Sequence, residues 1–232
     1  MLNQQQMKKL FVLFFLGLGI WGLQAQDGRV TQNLSSFKEV KVYDGLSVNL
    51  IRSDRNQAVI TGANTSKVAL VNTDGVLKIR MEIFKIFSGY RTFIDLYYTD
   101  DLVVIDVNED ARITTKETIS QGVLDLRAQE GGEIRVQAKT EQLLIKAVTG
   151  GVINATGSSE NQDVQINTGG IYKGKDLKTE FSTVNVNAGS TAEIFATNYV
   201  KATVKAGGTV FVYGDPAKME EKTVFGGKIE RM

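Results

Sequence analysis

Carboxylates are the groups best suited to chemistry in this chain, and they crowd one stretch: Asp100, Asp101, Asp106, Glu109 and Asp110. A calcium site needs several oxygens converging on one point. Alternation along a strand would send these side chains to both faces, and the spacing of a calcium loop is absent, so a solvated acidic edge is expected. Asp125 with Glu130, or Glu130 with Glu133, could form the paired acids of a glycosidase. No base with a charge partner stands out beside them. The chain has no His and no Cys among its 232 residues, which removes Ser-His-Asp and Cys-His nucleophile systems, thiol redox chemistry and ordinary zinc sites. Twin glycines recur from Gly131-Gly132 onward, but without the Gly-Lys-Ser/Thr continuation of a phosphate loop they read as structural turns. No catalytic, cofactor-binding or metal-ligating residue is assigned.

One nonrepetitive segment remains as a candidate site. Between Phe84 and Tyr98 lie Phe84, Phe87, Tyr90, Phe93, Tyr97 and Tyr98. Such rings can seal the open end of a sheet stack, form an oligomer interface, or stack on a ligand, and all three roles stay open at this stage.

These residues must be positioned by strands. The twin-glycine turns at Gly131, Gly150, Gly169, Gly189, Gly207 and Gly226 are spaced 19, 19, 20, 18 and 19 residues apart, with Ser190 standing in for one second glycine. A fixed period of this size is a solenoid signature. Three further columns keep the register. Ile134, Ile153, Tyr172, Ala192, Val210 and Ile229 follow each first glycine by three residues; Ala128, Ala147, Ile166, Val186 and Val204 precede it by three, and Leu126, Ile145, Val164, Val184 and Ala202 by five. The last unit departs, with Glu221 and Thr223 in those columns, as a terminal cap does. Within a unit the pattern has period two, as in Val164-Gln165-Ile166-Asn167, so each unit reads as two short strands and a glycine turn. Parallel stacking would place equivalent residues about 4.8 Å apart. A unit over Leu102–Ile113 joins the stack with Asp110-Ala111 in place of the glycines.

Upstream, strands are expected at Val40–Val42, Leu46–Leu50 and Ala58–Ile60, with a hairpin turn at Asn72–Gly75. The fold class is all-β: a right-handed parallel β-helix or closely related solenoid over 101–232, preceded by an N-terminal β segment over 26–100 and continuous with it. Residues 1–25 read as a signal peptide, with Lys8 and Lys9 ahead of the apolar run Leu10–Leu23 and a small residue, Ala25, at the cleavage point. That run is shorter than the ~20 residues a spanning helix needs. The formal net charge of +1 gives no electrostatic reason to expect nucleic acid. Export to the periplasm or cell surface is therefore expected, with no membrane span left after cleavage.

The ordered set Phe37, Val40, Val42, Gly45, Leu46, Val48 and Leu50, then Gly75, Leu77 and Ile79, then Ile94, Leu96, Tyr98 and Leu102, then Tyr213, Gly214 and Pro216, and last Gly226-Gly227 and Ile229, resembles the autotransporter-adhesin head family, or head GIN domain. The resemblance spans about residues 30 to 231. It implies a β-helical fold, export, a tendency to form homotrimers, and no catalytic residues or cofactor. The functional expectation is a non-enzymatic surface-interaction protein that contacts a protein or glycan at the cell envelope. The competing expectation is a carbohydrate-active enzyme using carboxylates on one solenoid face, with Asp125 and Glu130 foremost.

Overall fold

The computed structural model describes residues 28–232, and the expected leader lies outside them. Everything described is β-structure apart from three short 3₁₀ turns. The first half contains β1 (Val30–Asn33), β2 (Glu39–Val42), β3 (Ser47–Arg52), β4 (Gln57–Gly62), β5 (Val68–Thr73), β6 (Val76–Met81), β7 (Thr92–Tyr98) and β8 (Val104–Val107). Next come the long strands β9 (Arg112–Ala128), β10 (Glu133–Val148) and β11 (Val152–Asn167). Shorter ones finish the chain: β12 (Ile171–Lys173), β13 (Leu177–Val186), β14 (Thr191–Phe195), β15 (Tyr199–Lys205), β16 (Thr209–Tyr213), β17 (Lys218–Val224) and β18 (Lys228–Arg231).

From 104 to 231 the chain winds as a solenoid of about seven turns with a period near 19 residues. In β10 and β11 every pair is offset by 19, from Glu133↔Val152 to Val148↔Asn167. The three predicted columns point inward, and all their members from Leu126 to Val210 are buried. Each buried Val, Ile or Leu contributes roughly 1.5–3 kcal/mol relative to exposure.

Two short strands per coil were expected, but β9, β10 and β11 each run unbroken through the bend. The inward phase of β10 is Ile134, Val136, Ala138 and Thr140, then Leu143, Ile145 and Ala147, so Glu141 and Gln142 both face out. That one-residue phase slip turns the corner, and the 19-residue offset between β10 and β11 is the same on both sides of it. Where the offset becomes 20 between β11 and β13, the extra residue falls in a loop at 174–176, ahead of the bend that β13 still runs through. Where it drops to 18 between β13 and β15, the bend itself opens into a loop at 196–198.

At the other corner the turns stack. Glu130-Gly131, Thr149-Gly150, Thr168-Gly169, Ala188-Gly189 and Ala206-Gly207 all carry positive φ at both residues. Glu109-Asp110 and Asp44-Gly45 share this conformation. Each turn also bonds to its neighbour along the axis, as in Gly131 N–H to Thr149 O (3.2 Å) and Gly150 N–H to Thr168 O (3.2 Å).

The expected upstream strands and the 72–75 turn are present, but their arrangement is not sequential. The β2–β3 coil lies in the stack between two later pieces: β2 pairs in parallel with both β6 and β8, and β3 with both β7 and β9. The β6–β7 layer therefore ends the stack. Antiparallel strands then cover its edges, β5 against β6 and β4 against β7, with β1 on β4. At the opposite end Glu221 stands in register with core-facing Ala202, and Arg231 with Val212. Their ion pair of 2.7 Å gives that end a charged surface, which discourages edge pairing.

Candidate functional site

Between β6 and β7 the chain leaves the stack through two 3₁₀ turns, Ile83–Lys85 and Gly89–Arg91. Ile83, Phe84, Ile86 and Phe87 lack the polar alternation of a half-buried strand. Buried Asp44 fixes this excursion. One carboxylate oxygen accepts the Met81 N–H at 2.9 Å and the other accepts the Phe87 N–H at 3.1 Å, while the Asp44 carbonyl accepts the Gly89 N–H at 3.0 Å. A Cβ at Gly89 would sit 2.5 Å from that carbonyl oxygen and 2.8 Å from Leu46 Cγ, so glycine permits the approach. Phe87 holds a φ of 57°, a left-handed conformation costing a bulky residue about 1–3 kcal/mol, and Asp44 binds its amide in that state. The Tyr90 ring packs against Gly45, and its hydroxyl donates to Asp110 at 2.9 Å, which raises the Tyr90 pKa.

Held in this way, the segment turns its apolar side chains to solvent. Phe84 is 96% exposed and Ile83 72%, and Ile86, Phe87, Tyr90 and Phe93 are about half exposed. Beside them lies an open depression of about 420 Å³. Val71, Ile83 and Ile86 give it an apolar side, and Lys78, Arg80 and Glu109 a charged one. Burial raises the Glu109 carboxyl above its ordinary range, and the nearby Asp44 and Glu130 charges add to the effect.

Of the six aromatic candidates, Phe84, Phe87, Tyr90 and Phe93 belong to this exposed end. Tyr97 and Tyr98 are separated by strand alternation. In β7, Ile94, Leu96 and Tyr98 face the core, and half-buried Tyr97 faces outward. The Arg52 guanidinium lies 5.5 Å from the Tyr98 ring centre.

The carboxylates do not converge. Asp100 accepts from Ser36, Asp101 pairs with Arg52 at 3.0 Å, and Asp106 accepts from Asn108 at 3.1 Å. Asp125 is bound by Arg127 at 2.5 Å, and Glu133 by Arg135 at 2.6 Å and Arg112 at 3.6 Å. Glu130 is the first residue of a stacked turn. Among the described residues no three acidic side chains are placed to share a metal ion.

Several features were not anticipated from the sequence. Asp44, Gly89, Ile83 and Ile86 were overlooked, although the unalternated run from Ile83 to Phe87 is a readable signal. A buried polar network was also missed. The Tyr172 hydroxyl donates to Gln162 Oε1 at 3.0 Å, and Gln162 Nε2 donates to Ser182 Oγ at 2.7 Å and Thr179 Oγ1 at 3.1 Å. Burial of Tyr172 drives its pKa upward. On the outer solenoid face Phe181 and Tyr199 are register partners beside a depression of about 250 Å³ that also reaches Asn161 and Asp163.

The fold is shared with crystal structures of a putative adhesin from Bacteroides fragilis NCTC 9343 (14% identity, 88% of this chain and 96% of that one, TM-score 0.79) and one from Parabacteroides distasonis ATCC 8503 (19%, 88% and 96%, TM-score 0.72). A third, from Parabacteroides merdae ATCC 43184, is 17% identical over 88% of this chain and 95% of that one, with a TM-score of 0.66. No curated protein matches the chain. The twin-glycine coils, the interposed β2–β3 coil and the covering strands all fall largely within residues 36–216, where the sequence matches a family profile over most of its length, and the chain belongs to the family described as putative auto-transporter adhesin, head GIN domain.

Proposed function

We propose that this protein is an exported, non-enzymatic binding module of the cell envelope or cell surface, and that it makes its contact through the 83–93 segment. The observation carrying this reading is the exposure of Ile83 and Phe84 on a backbone clamped by Asp44. Monomeric soluble proteins rarely hold such a cluster in water without a use for it. The adhesin-like family supports the same reading, and so does the pairing of Asp125 and Glu133 with arginines, which leaves neither poised as a free acid or base. A homotrimer is the assembly the family resemblance implies, and it would compete for the same apolar segment.

The test is adherence of beads carrying the chain from Gln26 onward to envelope fragments. The double variant Phe84→Ser/Phe87→Ser should retain its melting temperature, because both rings are largely exposed, and should lose at least about tenfold in retention. Equal retention would refute the assignment of the segment. Release of reducing ends from envelope glycans, abolished by Asp125→Asn, would instead favour a carbohydrate-active enzyme.

A further inference from the structure

Resting on the reading that the 83–93 segment is the contact, we infer that its partner is a lipid bilayer bearing anionic headgroups, with the Ile83–Phe87 tip entering the boundary between headgroups and acyl chains. The first reason is shape. Ile83 and Phe84 project from a turn, at 72% and 96% exposure. A protein partner must offer a matching pocket to such a projection, whereas a bilayer accepts apolar side chains without shape complementarity.

The second reason is charge. From residue 78 to 91 the basic residues are Lys78, Arg80, Lys85 and Arg91, all exposed, and the one acid among them is Glu82. Glu82 is paired with Lys67 at 3.3 Å. Asp44 and Asp110, which also contact this segment, are bonded to the Met81 and Phe87 amides and to the Tyr90 hydroxyl. Lys78 and Arg80 line the same depression as Ile83 and Ile86, where they stand beside the Asp44 and Glu109 carboxylates. Between Ile83 and Arg91 the charged residues are Lys85 and Arg91, with no acid among them, so the projecting segment itself is positive. Lys and Arg can rest their stems on the apolar surface and place their charges among lipid phosphates.

The third reason is order. The bonds from Asp44 and the close packing at Gly45 and Gly89 fix the tip backbone in the free protein. Insertion therefore costs little further ordering of the chain.

The sole tryptophan of the sequence is Trp21, ahead of the expected cleavage point, so Phe84→Trp in the chain from Gln26 carries a single indole. Vesicles of phosphatidylcholine with phosphatidylglycerol should shift its emission to the blue and should sediment the unsubstituted protein. Pure phosphatidylcholine should do so far less. Changing Lys85→Gln or Arg91→Gln should each weaken vesicle binding about fivefold, and Ile83→Ser/Phe84→Ser/Phe87→Ser at least about tenfold. Absence of binding to the anionic vesicles, or binding indifferent to the tip substitutions, would overturn the lipid assignment. If vesicles fail but Phe84→Ser/Phe87→Ser still loses adherence to delipidated envelope fragments, a protein or glycan occupies the tip and the proposed function stands. If adherence also survives that change, both readings fall.

Discussion

Val186→Asp should unfold the central coils of the solenoid. Val186 is 1% exposed and stands in ladder register with Ile166 on one side and Val204 on the other. A carboxylate there has neither water nor a cation, and its uncompensated burial should cost about 4 kcal/mol or more. That is a large part of the ~5–15 kcal/mol that holds an ordinary domain together. Because coils contact mainly their neighbours, hydrogen-exchange protection should fall first over β13, β15 and their partners, and persist longer over β9 and β10. Asn185→Asp, one residue away on the exposed face, should change stability by no more than about 0.5 kcal/mol. Wild-type-like denaturation of Val186→Asp would contradict the inward register of its column.

Gly151→Ala should cost about 3 kcal/mol, well above Gly150→Ala at about 1 kcal/mol. The two glycines are adjacent but are required for different reasons. Gly150 has a φ of +75°, and an added Cβ would have only the Gly131 amide nitrogen near it, at 4.0 Å. The penalty there is conformational. Gly151 lacks a positive φ, but its Cβ would lie 2.5 Å from the Ala128 carbonyl carbon and closer still to the oxygen. Backbone of the adjoining coil cannot rotate aside, so the coils must part. Ser190 occupies the equivalent place where the coil is one residue longer, and its hydroxyl is buried without a partner. Urea denaturation of the two alanine variants measures the difference, and equal losses would show that the second glycine is not a contact point between coils.

The solenoid was legible because its information is periodic. Columns such as Ala147, Ile166, Val186 and Val204 state the strand phase and the 19-residue register together. The place of β2–β3 was not legible, since Val40 and Val48 announce strands but not that Ile105 and Ile113, 65 residues on, will lie beside them. Exposure of the aromatic segment was legible only in part: the unalternated run from Ile83 to Phe87 marks a departure from the strands, but not which of its rings meet solvent. Phe84 and Tyr98 look alike in sequence, and only the bonds from Asp44, far upstream, put one in solvent while strand alternation puts the other in the core. Tyr172 and Gln162 each break an apolar column, but that the two breaks meet in one hydrogen bond depends on the bend between them.

The most direct test of the account is hydroxyl-radical footprinting of the chain from Gln26, free and bound to envelope fragments. Phe84, Phe87, Tyr90 and Phe93 should react readily when free and become protected on binding, with Phe181, Tyr199 and Phe225 unchanged. Protection of Phe181 and Tyr199 with the 84–93 rings still reactive would contradict it, and would place the contact on the outer face of the solenoid.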